Sequence, residues 1–164
     1  MKVAVCDDQE IFLKAVYNEV KSLSYLEISL FDDSTKLAEE IKNGEYYDLF
    51  ILDIEMPNLD GMELAKVIKE HIKNPVIIFL TSYTDYVYNA FEVEAFRFIP
   101  KENMKDKILS TIEEYVKELK SVFLTILTGD DERLSTAVII ALSCAKPLIC
   151  LSKVFIPSCK ASYI

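Results

Sequence analysis

The chain has 164 residues, about half of them hydrophobic, with a formal net charge of -9. This is enough for one domain of ordinary size and its core, with room for an appendage. Its acidity argues against a general nucleic-acid surface, whose affinity comes from Lys and Arg. Residues 1–121 carry 24 acidic against 14 basic side chains, whereas 122–164 carry 3 against 4, so the acidity belongs to the first part.

The opening MKVAVCDDQE is not built like a signal peptide, and a cytoplasmic location is the expectation. Its KVAVC (2–6) reads as a first strand, ending at Asp7 and Asp8. Phe12, Val16 and Val20 then recur at four-residue spacing and predict a helix. LEISLF (26–31) is a second strand, and Leu37, Ala38 and Ile41 mark a helix that Ser34 is placed to cap.

DLFIL (48–52) is apolar almost throughout, as a strand covered on both faces should be, and it runs into Asp53. The loop that follows, DIEMPNLDG, leads to a helix carrying Ala65, Ile68 and Ile72. Pro57 keeps Met56 out of helical geometry, and Gly61 is expected to permit the turn before that helix. VIIFL (76–80) ends at Thr81, and AFRFI (95–99) is followed by Pro100 and Lys101. Ile108, Ile112, Tyr115, Val116 and Leu119 give a last helix a broad apolar stripe.

Five βα units of this kind predict an α/β fold, a parallel sheet with helices on both faces. In such sheets ligands bind outside the carboxyl ends of the strands. Asp7, Asp8, Asp53, Thr81 and Lys101 all follow strand ends, so the fold would gather three acids, a hydroxyl and an amine at one edge. Clustered carboxylates repel one another, and a hard divalent cation relieves this; Mg²⁺ suits one or two carboxylates with phosphate oxygens and water. With the cation in place, Asp53 is a candidate nucleophile forming an acyl phosphate. Lys101 and Thr81 would then meet phosphoryl oxygens, and the loop could offer a backbone oxygen of Glu55 to the metal.

Asp7-Asp8, Asp53 within DIEMPNLDG, Thr81 and Lys101, in this order and spacing, resemble the receiver domain of bacterial two-component response regulators. The resemblance covers roughly residues 1–120. It implies a CheY-like, flavodoxin-like (βα)5 fold with doubly wound strand order 2-1-3-4-5. It also implies phosphoryl transfer from a sensor histidine kinase to Asp53, with Mg²⁺ held by Asp8, Asp53 and the Glu55 carbonyl and Asp7 helping through water. Thr81 would follow the phosphoryl group and Phe98 would change rotamer, coupling the site to the face made by the fourth helix, fifth strand and fifth helix. That face is a possible homodimer surface. YTDYVYNAFEVEAFRFIPK (83–101) looks most like receivers attached to LytTR-type DNA-binding domains. One departure is that Glu102, rather than proline, follows the lysine, while Pro100 precedes it.

Other residues have plainer readings. Tyr83, Tyr86, Tyr88, Phe91 and Phe96 are expected to be core, His71 to be exposed, and Cys6, Cys144, Cys150 and Cys159 to be reduced thiols. Residues 122–164 are expected to form a tail after a receiver at 1–121, a truncated or altered start of an output domain, docked on the receiver or poorly ordered. Its VFLTILTGDDERL reads as a strand, a turn and a second strand, similar to the opening of a LytTR-type domain. Too short for that domain's usual sheet and without a basic cluster, this tail is not expected to bind DNA, which would need a complete output domain. In AVIIALSCAKPLICL, Lys146-Pro147 interrupts the apolar run well below the ~20 residues that span a bilayer, so no membrane anchor is expected.

The preferred reading is a switch with only self-catalysed phosphorylation and dephosphorylation. An alternative is a phosphatase with an aspartyl-phosphate intermediate, since Glu55 lies two residues past Asp53 where such enzymes place a second acid. A flavin-binding protein is disfavoured, because CDDQE supplies anions where a phosphate loop would need hydroxyls and glycine.

Overall fold

A computed structural model of the chain describes residues 1–82 and 94–128, with side chains as far as Ser121. Two compact units divide the chain, one of Lys2–Thr111 and one of Met1 with Ile112–Ile164.

In the first unit five strands form one parallel sheet: β1 (Lys2–Cys6), β2 (Glu27–Phe31), β3 (Leu49–Leu52), β4 (Val76–Thr81) and β5 (Arg97–Pro100), in the order β2-β1-β3-β4-β5. This is the doubly wound order expected. Helices α1 (Glu10–Val20), α2 (Ser34–Lys42) and α3 (Gly61–His71) connect the first four strands. The last described helix, α4 (Met104–Thr128), corresponds to the fifth expected; the fourth falls at residues 83–93, outside the described residues.

Alternation along the strands separates two cores. Ala4 and Cys6, Phe50 and Leu52, Ile77 and Phe79 share one face and pack with Leu37, Ala38 and Ile41 of α2 and Leu64, Ala65 and Ile68 of α3. Val3, Val5, Ile51, Ile78 and Leu80 alternate with them and are equally buried, as are Leu13, Val16 and Val20 of α1. The strands lie one register step apart in sequence but level in space: Cys6 pairs with Leu52, Leu52 with Phe79 and Phe79 with Phe98. Pro100 is tolerated at the last position of β5 because that strand is at the sheet edge.

Three local readings are corrected. The cap of α2 is Asp33, whose carboxylate accepts from the Thr35 amide at 2.9 Å and the Thr35 hydroxyl at 2.7 Å. Ser34 is instead the first helical residue, buried, with its hydroxyl donating to the Pro57 carbonyl at 3.5 Å. Gly61 opens α3 not because of its conformational range but because of space. A Cβ there would collide with the Asp53 carbonyl oxygen and lie 2.9 Å from the Ile54 Cα. Finally, residues 122–128 are helical, not a strand. No Gly or Pro occurs between Met104 and Thr128, and Gly129 is the first breaker, so a helix already formed extends through residues of high strand preference.

In the second unit, Ile112 and Val116 are buried along the continuing α4. The reading of residues 129–164, like that of the aromatics from Tyr83 to Phe91, concerns residues outside those described. His71 is exposed, as expected, with Nδ1 2.9 Å from the Val67 carbonyl oxygen.

Candidate functional site

The sheet reverses its winding between β1 and β3, which sit side by side while β2 lies beyond β1. A crevice opens at the carboxyl ends of strands at such a point. Because Cys6 and Leu52 are register partners, the next residues, Asp7 and Asp53, stand side by side there. Backbone bonds hold both, from the Asp7 amide to the Phe31 carbonyl (3.1 Å) and from the Asp53 amide to the Cys6 carbonyl (2.9 Å).

Lys101, the first residue of a 3-10 turn (Lys101–Asn103) that leads into α4, reaches across from β5. Its ammonium lies 2.8 Å from Asp53 Oδ2, to which it donates a hydrogen bond, and 2.6 Å from Asp7 Oδ2. All three side chains are about 96% buried, which makes the charges strongly felt. The other Asp53 oxygen, Oδ1, accepts from the Ile54 amide at 2.7 Å. Asp7 Oδ1 accepts from the Gln9 amide at 2.9 Å.

Asp7 Oδ2 is buried, with the Lys101 ammonium as its close ion-pair partner. Burial pushes the Asp7 carboxyl above its ordinary range, against the opposing pull of the Lys101 ammonium and the Gln9 amide. Asp8 is exposed beside the pair, and carboxylate oxygens of Asp7, Asp8 and Asp53 lie within 4.8 Å of one another. Three carboxylates against one ammonium leave an excess of negative charge when ionised. Oxygen donors and that excess of negative charge fit a hard divalent cation such as Mg²⁺.

Thr81 is fully buried at the end of β4, opposite Pro100 and therefore one residue from Lys101. It alternates with Leu80, so it shares a sheet face with Phe79 and with Phe98, which is half-buried against the same core.

Glu55 follows Asp53 by two residues with its side chain exposed. The loop is closed by the Gly61 amide donating to the Ile54 carbonyl at 2.8 Å, and Asn58 makes its sharp bend in the left-handed region (φ 69°). Glu102, where a proline was noted to be usual, is exposed at the start of the turn.

One neighbour of the site was found by periodicity but not as part of the site. Phe12, read only as part of the apolar stripe of α1, sets its ring under the Lys101 ammonium, 4.0 Å from nitrogen to centroid. An aromatic one turn into the helix after an Asp-Asp pair is a signal that could have found it.

A doubly wound parallel sheet with an acid cluster and a buried lysine at its switch point defines a flavodoxin-like class of α/β protein. Residues 3–113 match the response regulator receiver domain, and the chain belongs to that family. It is 34% identical over 119 residues to the transcriptional regulatory protein NatR of Bacillus subtilis, covering 72% of this chain and 51% of that protein. To the sensory transduction protein LytT of Bacillus anthracis it is 32% identical over 125 residues, covering 74% and 49%. The chain spans about half the length of these curated relatives. Among solved structures, the response regulatory domain of mrkE from Klebsiella pneumoniae superposes with a TM-score of 0.68 at 28% identity, over 74% of this chain and 99% of that one. No helix among the described residues is long and apolar enough to cross a membrane.

Proposed function

We propose that this receiver takes a phosphoryl group from a sensor histidine kinase onto Asp53 in a Mg²⁺-dependent reaction, and so switches a transcriptional output. The observation that carries the proposal is the buried contact of Lys101 with both Asp53 and Asp7 at the sheet's switch point. Receivers are signalling switches, and this one is read as a phosphoacceptor rather than a turnover enzyme.

A carboxylate oxygen of Asp53 attacks phosphorus as the P–N bond of the kinase phosphohistidine breaks. The imidazole leaves with that electron pair, and an acyl phosphate remains on Asp53. Asp8, Asp53 and the Glu55 carbonyl would hold Mg²⁺, with Asp7 acting through water, and the bound ion would supply neutralisation of the incoming oxygens. Lys101 is already at the Asp53 carboxylate and stabilises a phosphoryl oxygen by charge. Thr81 donates a hydrogen bond to another, and its motion is transmitted to Phe98, which shares its sheet face. The change at the face of the expected fourth helix, β5 and α4 then biases a two-state element, with homodimerisation as its readout.

Residues 1–121 are read as the receiver, in a cytoplasmic protein, and 122–164 as an altered opening of a LytTR-type output domain whose first residues continue α4. The relatives, a transcriptional regulatory protein and a sensory transduction protein, support the direction of that output. DNA binding is assigned only to a complete output domain.

Incubation with acetyl phosphate and Mg²⁺ tests the core of this reading. One acid-stable, base-labile phosphoryl group is expected, absent in Asp53→Asn and absent when Mg²⁺ is chelated. Uptake that persists in Asp53→Asn at the same stoichiometry would refute it.

A further inference from the structure

We propose that Phe12 is a positioning residue for phosphoryl transfer, its ring acting as the third partner of the Lys101 ammonium. The inference rests on the function proposed above. It begins from a count. An ammonium has three N–H donors and no acceptor. Lys101 turns toward Asp53 Oδ2 at 2.8 Å and Asp7 Oδ2 at 2.6 Å, and its side chain is only 4% exposed. Water therefore has little access to the third side of the nitrogen, and the Phe12 ring lies there at 4.0 Å. The negative face of the ring attracts the ammonium, more strongly where water is excluded.

The origin of the ring is as informative as its distance. Phe12 is carried by the first turn of α1, which follows directly from the Asp7-Asp8 segment. The Phe12 amide bonds the Gln9 carbonyl at 2.9 Å, and the Gln9 amide bonds Asp7 Oδ1 at 2.9 Å. Ring and carboxylates are thus fixed by one short stretch of backbone. When an incoming phosphoryl group or Mg²⁺ draws Asp7 and Asp53 away from the ammonium, an aliphatic side chain would leave nothing to hold Lys101 in place. The ring keeps one attractive contact that does not depend on either carboxylate. It confines the ammonium to the side of Asp53 where a phosphoryl oxygen arrives.

Four proteins separate this role from simple packing: the natural chain, Phe12→Leu, Phe12→Trp, and Tyr17→Leu as a control at an exposed position of the same helix. Two readouts are taken. The first is the proton shift of the Lys101 side-chain methylene next to the ammonium, assigned by its loss in Lys101→Met. Ring current should move it upfield in the natural chain and in Phe12→Trp, and not in Phe12→Leu. The second is the initial rate of Asp53 phosphorylation by acetyl phosphate at saturating Mg²⁺. It should fall roughly three- to tenfold in Phe12→Leu, in keeping with the strength of a desolvated cation–π contact. The rate should return in Phe12→Trp and be unchanged in Tyr17→Leu.

An unshifted methylene in the natural chain overturns the contact itself. A shifted methylene with equal rates in Phe12→Leu and the natural chain overturns the positioning role while leaving the phosphoacceptor reading intact. A slow Phe12→Trp that still shows the shift assigns Phe12 to packing and also overturns the role. A natural chain that shows the shift but takes no phosphoryl group defeats the function proposed above, and the positioning role with it.

Discussion

Gly61 and Asp53 are eight positions apart but touch through their backbones, and this contact makes the glycine irreplaceable. A Cβ at Gly61 would strike the Asp53 carbonyl, which is backbone and has nowhere to retreat. Gly61→Ala should therefore cost about 1–3 kcal/mol, as overpacking does, and should slow phosphorylation by shifting the carboxylate. Urea denaturation with acetyl phosphate kinetics checks both, and an unchanged midpoint would show that the loop yields freely. The site acids were legible as strand-end residues because strand-forming runs stop on them. The need for Gly61 was legible too, but with the wrong cause, since a sequence shows a glycine and not the atom it avoids. Phe12 was legible only as an apolar helix position, because nothing in four-residue spacing distinguishes a ring facing the core from one facing an ammonium.

At the scale of elements, α2 and β1 each carry a measurable signature. The Asp33 carboxylate satisfies an otherwise unpaired amide at the start of α2. Asp33→Ala should cost about 0.5–2 kcal/mol, read as a lower urea midpoint. A result within error of the natural chain would return the cap to the backbone alone. In β1, burial, followed by the charges of Asp7, Asp33, Asp53 and Asp32, pushes the Cys6 thiol from 9.0 up to about 12. The folded state holds this proton more tightly than the unfolded chain. Its contribution to stability is complete below pH 9.0 and is lost as pH rises through about 12. Stability should fall between these limits with a slope approaching 1.4 kcal/mol per pH unit at most from this group, and more gently in Cys6→Ala. Equal slopes in the two proteins would remove the effect; the other cysteines are common to both and cancel. Element type was readable for every described strand because apolar runs and turn residues agree along β1 to β5. It failed at 122–128, where strand preference of single residues lost to propagation of a helix with no breaker in its path.

For the molecule as a whole, folding assembles like charges that repel, and a bound cation should be felt as stability. Ligand that binds only the folded form adds RT ln(1 + [L]/Kd), about 2.7 kcal/mol at a hundredfold excess over Kd. Mg²⁺ should raise the melting temperature of the natural chain, a chelator should reverse it, and Asp53→Asn should show a smaller rise. The Asp7 carboxyl is held above 3.8 by burial, so the Mg²⁺-dependent rise should shrink as the pH falls through its folded value and the proton displaces the metal. An Mg²⁺ response that is absent at neutral pH, or equal in Asp53→Asn, would exclude these acids as its site. The residues by themselves determined the alternation of strands and helices and the acids, hydroxyl and amine at the strand ends, because periodicity and chain breaks are local properties. Only the tertiary structure decided that Asp7, Asp53 and Lys101 meet at the rim, and that a phenylalanine completes the lysine's surroundings. Register and side-chain parity are relations between strands, and they come into being only when the sheet is closed against its helices.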